Sequence, residues 1–128
     1  MSYDLMVFEP LIAPKERHGF MAWYRLQTKW GEDHNYQDHA VSSHNLQAWF
    51  LEMIKSFPAM NGPLASYDIN VDGEDITDYS IGKSIILASF SWSVVEEAHT
   101  KMRSLAIKHK VGFFDVSASN GEILVPSI

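Results

Sequence analysis

The alternation of apolar and polar positions divides the chain into eight elements. Leu5-Met6-Val7-Phe8 is apolar at every position, the pattern of a central strand covered on both faces. Pro10 and Pro14 bracket a turn. A first helix is predicted from about Lys15 to Trp30, with Phe20, Trp23, Tyr24 and Trp30 on or near one stripe and Gly19 as its weak point. Residues 31–43 are polar and rich in His, Asp and Asn, which reads as a loop. The strongest periodicity follows. Leu46, Trp49, Phe50, Met53, Ile54 and Phe57 repeat at helical spacing, with Ser42 or Ser43 placed to cap the helix and Pro58 to end it.

The second half is more punctuated. Asn61-Gly62-Pro63 marks a turn, and the stretch up to Asp75 is acidic and irregular. Ile76 to Ile81 reads as a strand with Tyr79 and Ile81 on one face. Gly82-Lys83 supplies a tight turn into a buried strand from Ser84 to Trp92. Ser93 and Glu96 match a capping box for a third helix, whose apolar stripe is Val95, Ala98, Met102, Leu105 and Ala106. Glu96 and Glu97 suit the positive end of its dipole and Lys108, His109 and Lys110 the negative end, with Gly112 placed to terminate it. Phe113 to Ser117 is a strand, Asn120-Gly121 a hairpin turn, and Glu122 to Val125 the last strand.

The order β-α-α-β-β-α-β-β predicts one α+β domain over residues 1–128, with helices packed on a mainly antiparallel sheet. The interrupted βαβ pair points to a ferredoxin-like arrangement with an extra helix and a terminal hairpin. A chain of 128 residues with 46% hydrophobic and 20% charged residues can hold one core without staples. There is no cysteine, which excludes disulfides, thiolate metal sites and a cysteine nucleophile, and agrees with a reducing compartment. Met1-Ser2-Tyr3-Asp4 lacks the basic opening of a signal peptide, and apolar runs such as Ile85 to Ala88 are strand-sized. A cytoplasmic protein with no membrane partner is expected.

Charge is unevenly distributed. The net charge is −6, but residues 30–82 hold nine acids against one base, Lys55, a net of −8. Nucleic acid is a poor partner for such a chain and none is expected, because phosphate binding needs a basic footprint. A cationic protein surface fits better. The competing reading is that these acids are solvated loops that aid solubility.

Three clusters invite a chemical reading. Asp33, His34, Asp38, His39 and His44 carry the right atoms for zinc, but the histidines are five apart on a loop, not at helical metal-pair spacing. Asp68-Ile69-Asn70-Val71-Asp72-Gly73 matches the opening of a calcium loop. It then fails, with Tyr79 where a bidentate glutamate is needed, Asp75 where an apolar residue is usual, and Pro63 where the entering helix should be. Neither is assigned a metal. Asp115 interrupts the run Phe113-Phe114-Asp115-Val116, and simple alternation points it to solvent. No nucleophile elbow, phosphate loop or dinucleotide fingerprint is present, so no catalytic residue and no cofactor is assigned and no enzyme is expected. Among the aromatics, Trp49 and Phe50 belong to the core. Trp30 and Tyr36 border one acidic segment, and Tyr67 and Tyr79 the other.

Ser2-Tyr3-Asp4-Leu5-Met6-Val7-Phe8, Ala48-Trp49-Phe50, Met60-Asn61-Gly62-Pro63, Thr77-Asp78-Tyr79-Ser80-Ile81-Gly82 and Gly112-Phe113-Phe114-Asp115-Val116-Ser117 resemble a family of small, largely uncharacterised bacterial cytosolic proteins. The resemblance covers most of the chain and brings no catalytic residues with it. It implies an immunity protein of an antibacterial toxin system, which binds and neutralises a cognate toxin. A basic toxin cleft would attract an acidic inhibitor. The expected binding surface comprises Glu32, Asp33, Asp38, Asp68, Asp72, Glu74, Asp75 and Asp78, with Trp30, Tyr36, Tyr67 and Tyr79 as anchors. The alternative is a small-molecule or enzymatic site between sheet and helices.

Overall fold

β1 (Tyr3–Phe8) lies in the middle of a five-stranded sheet, and its sequence explains why. Leu5, Met6, Val7 and Phe8 are all fully buried, so both faces of the strand must be covered. The computed structural model describes residues 2–65 and 73–126. Its remaining elements are α1 (Arg17–Gln27), α2 (His44–Met53), β2 (Asp78–Ile81), β3 (Ile85–Phe90), α3 (Val95–His109), β4 (Gly112–Phe114) and β5 (Ile123–Leu124). Short 3-10 turns at His39–Val41 and Trp92–Val94 lead into α2 and α3.

The strand order is β2-β3-β1-β4-β5, and every neighbouring pair is antiparallel. β1 therefore runs parallel to β2 with β3 between them, and β3 parallel to β4 with β1 between them. These are the two split βαβ units expected of a ferredoxin-like sheet, extended by the β4–β5 hairpin. Register sets the faces. Met6 stands opposite Leu87 and Phe114, and Val7 opposite Ile86 and Phe113.

On one face, Leu5, Val7, Ile86, Ala88, Phe90, Tyr79, Ile81 and Phe113 pack against Leu46, Trp49, Phe50 and Met53 of α2 and Ala98, Met102, Leu105 and Ala106 of α3. Trp49 is fully buried there, and its indole N–H donates to the Met102 carbonyl at 3.3 Å. On the other face, Met6, Phe8, Ile85 and Phe114 pack against Ala13 and Phe20, with Trp23 and Tyr24 of α1 alongside. The extra helix is thus α1, alone on the face opposite α2 and α3.

Several boundaries differ from the sequence reading, each for a local reason. α1 stops at Gln27, and Trp30 turns the chain with a left-handed φ of 54°. α2 ends at Met53, and the chain winds on through bonds such as Phe57 N–H to Met53 O at 3.0 Å before Pro58. Its N-cap, Ser43, makes no side-chain capping bond. The capping box at Ser93 and Glu96 does not form, because Ser93 sits inside the 3-10 turn and Val94 occupies the N-cap. Gly112 does not end α3. Lys110 does so, at a left-handed φ of 60°, and Gly112 lies in β4.

Gly112 is required for packing instead. A Cβ there would overlap the Phe8 ring, which is itself fully buried. Gly112→Ala should therefore cost about 1–3 kcal/mol, as overpacking in a filled core does. Gly31→Ala, at a position with open space around it, should stay within about 0.5 kcal/mol. Urea unfolding of the two variants checks the contrast.

Candidate functional site

β2 is an edge strand, and the chain itself covers both ends of its outer side. At one end the Ile81 N–H donates to the Tyr36 carbonyl at 2.8 Å. At the other, the Thr77 N–H donates to Pro58 O at 2.8 Å and the Met60 N–H to Thr77 O at 2.9 Å, closing a parallel bridge between Ala59 and Thr77. Gly62, at a φ of 92°, leaves no room for a Cβ beside the Gln37 carbonyl, so the turn after α2 also touches the first acidic loop. Residues 32–38 and residues 73–78 consequently border the same sheet edge, joined by residues 58–62.

The acids on that edge are not equivalent. Glu32 is half-buried and accepts the Lys83 N–H at 3.0 Å and a contact from His34 Nε2. Around it, the Glu32 N–H donates to the Tyr36 hydroxyl at 2.7 Å, and Trp30 packs edge-on against Tyr36 at 5.0 Å. The His34 pKa is raised, first by its bond to the Asn35 carbonyl and then by Glu32. Asp38 accepts the Ala40 N–H at 3.0 Å and caps the 3-10 turn. Glu32, Asp38, Trp30 and Tyr36 therefore build the loop. Asp33 and Asp78 are exposed, and their carboxylates make no hydrogen bond or ion pair among the described residues. Asp75 is half-buried and Glu74 is exposed.

Tyr79 requires a correction. It is 5% exposed, packs on Phe50 at 5.1 Å, and donates its hydroxyl to the Phe57 carbonyl at 2.7 Å. Burial raises its pKa. It anchors the core and is not available to a partner. Tyr67, Asp68 and Asp72 lie outside the described residues, as does most of the calcium-like turn. The histidines of the first loop diverge: His34 turns to Glu32, His39 stacks on Phe50 at 5.5 Å, and His44 opens α2. Among the described residues, no three His, Asp or Glu side chains come together to hold a metal ion.

Asp115 is the second correction. It is 9% exposed, not solvent-facing. Alternation failed because the sheet is covered on both faces at β4, so either direction leads inward. The Tyr3 hydroxyl donates to Asp115 Oδ1 at 2.7 Å, and His99 Nε2 lies 3.5 Å from Oδ2. Trp92 packs edge-on against Tyr3 at 5.0 Å. Burial, followed by the hydrogen bond to Asp115 and its charge, pushes the Tyr3 pKa up to about 12. The cluster fixes the end of β1 to α3 and the end of β4. One sequence signal was available: a carboxylate inside an apolar run needs partners, and Tyr3 and His99 are those partners.

A third polar cluster ties the two helices together. Glu52 of α2 accepts from Lys108 Nζ at 2.8 Å and from His109 Nε2 at 2.9 Å, both on α3. Lys108 and then His109 hold the Glu52 pKa down at about 2. Between the layers, Trp49, Met53 and Met102 fill one sheet–helix interface, and Phe8 and Phe20 the other, all at most 1% exposed. Compared with protein-family models, curated proteins and solved structures, the chain gives no match.

Two pH effects follow from these contacts. Tyr3 has a pKa raised from 10.0 to about 12 on folding, so its contribution is full below pH 10 and is lost as pH rises through 12. Glu52 is lowered from 4.5 to about 2, so its contribution is present above pH 4.5 and is lost as pH falls toward 2. Melting temperatures across pH should show a flatter alkaline limb for Tyr3→Phe and a flatter acid limb for Glu52→Gln. At neutral pH, Tyr3→Phe should destabilise by about 1–2 kcal/mol by removing a donor from a buried carboxylate. Asp115→Asn should add less than its own single effect in the double variant, because both act on one bond.

Proposed function

We propose that this chain is a protein-binding module that recognises a basic partner along the β2 edge. In the form its family resemblance implies, it is an immunity protein that binds and neutralises a cognate antibacterial toxin without catalysis of its own. The observation that carries this reading is the convergence of the two acidic segments on one edge through the 58–62 turn. Exposed acids gathered on one side make a directional negative field, which raises the encounter rate with a cationic surface and disfavours acidic competitors. The surface set is Asp33, Glu74, Asp75 and Asp78 among the described residues. Glu32 and Asp38 reinforce it electrostatically from within the loop.

Affinity capture from the native host, read by mass spectrometry, should return a stoichiometric basic protein. Against that partner, the combined change Asp33→Lys, Asp75→Lys and Asp78→Lys should weaken binding by at least about a hundredfold, on the scale of charge pairs at steered interfaces. The far-ultraviolet circular dichroism should be unchanged, because none of the three carboxylates bonds to a described residue. Undiminished affinity after the reversal defeats the proposal.

A further inference from the structure

A groove of about 320 Å³ opens at the start of β2 and the end of β3. Its walls combine two kinds of surface. Met60, half exposed at 50%, and Ile76 supply an apolar side, and Asp78, Ser89 and Ser91 supply a polar one. Sheet register explains the polar side. Asp78 stands opposite Ser89 on β3, and Ser89 stands opposite Asp4 on β1, so two carboxylates straddle one hydroxyl in a single row across the sheet. Asp4 already accepts the Ser2 hydroxyl at 2.9 Å. The Asp78 carboxylate accepts nothing from the described residues.

We propose that this groove receives an arginine side chain from a basic protein partner. The proposal rests on the protein-binding reading above and names where its anchor sits. The chemistry selects arginine for three reasons. An open carboxylate beside an apolar wall matches a side chain whose stem is aliphatic and whose head is cationic. The guanidinium offers a planar fork that pairs with a carboxylate through two bonds and has N–H groups left for the Ser89 and Ser91 hydroxyls. It is also more weakly hydrated than an ammonium, so seating it against Met60 and Ile76 costs less than seating lysine. Anions are repelled by Asp78 and Asp4, and a neutral apolar ligand leaves Asp78 desolvated without a partner. Arginine in a partly desolvated pocket is also a frequent hot-spot residue at protein interfaces.

The test uses isotope-labelled full-length protein and a blocked Gly-Arg-Gly peptide as probe, followed by nuclear magnetic resonance. Saturable shifts are expected at the backbone amides of Met60, Ile76, Asp78, Ser89 and Ser91. The lysine peptide should bind at least about tenfold more weakly, and the neutral isostere with citrulline should not saturate. Asp78→Asn should weaken the arginine peptide about tenfold or more, and Asp78→Glu should retain part of the binding. Preserved amide dispersion in each variant confirms that it folds. The proposal is overturned if the arginine peptide produces no saturable shifts, if citrulline binds equally well, or if Asp78→Asn has no effect. The two readings separate cleanly with the captured partner. Loss of binding on reversing Asp33 and Asp75, with Asp78→Asn neutral, removes the groove and keeps the acidic edge. Peptide binding in the groove with a charge-insensitive partner supports the groove and removes the acidic edge.

Discussion

Everything in this fold follows from the burial of β1 on both faces. A strand with four consecutive fully buried apolar residues cannot sit at an edge or under a single layer of helices. It needs strand neighbours on both sides, which β3 and β4 provide, and helices above and below. α2 and α3 supply one layer and α1 the other. The same constraint reaches single residues. Gly112 is a glycine because the Phe8 ring occupies the space where its Cβ would go. Asp115 is buried because there is no solvent face for it to find, and Tyr3 and His99 then stabilise a carboxylate that would be costly alone.

How much of this was legible depends on the range over which each signal acts. The eight elements, their order and the two-sided burial of β1 were written in local periodicity, and periodicity is local physics. The α2 stripe of Leu46, Trp49, Phe50 and Met53 is buried as its spacing indicated, and the Gly82 turn stands where its glycine puts it. β4, by contrast, stops at Phe114 and reaches β5 through residues 115–122, not through a tight turn at Asn120-Gly121. Misreadings arose where a tertiary contact overrode a local rule. A 3-10 turn displaced the capping box at Ser93, and Lys110 took the left-handed position that a glycine was expected to hold. The face chosen by α1 was not legible either, because an apolar stripe says that a helix packs, not on which side of the sheet.

The candidate surface was legible as composition and not as geometry. The nine acids of residues 30–82 were countable, but the sequence does not separate those that hold a loop from those that face solvent. Glu32 and Asp33 are adjacent and have different fates: one accepts the Lys83 N–H from across the β2–β3 turn, and the other is exposed without a partner among the described residues. Tyr79 neighbours acids in sequence, the association that suggests an anchor. Strand alternation placed it on the same face as Ile81, and the structure follows alternation. Where a local pattern and a compositional association conflict at one residue, the pattern has the stronger physical cause.

The acids that build the fold and those left outside it also act on each other. Glu32 and Asp38 are held in place by backbone N–H groups, so their charges are fixed in direction and cannot relax away from Asp33. Fixed like charges raise the free energy of the edge, and the cationic partner proposed above would relieve that repulsion on docking. Solvated loops would show the opposite arrangement, with mobile acids that spread apart and dilute the field. The acidic loop is bonded through the Tyr36 carbonyl to Ile81, and Gln37 lies close against Gly62. Under the proposed reading, an edge held in this way would need less ordering when a partner docks.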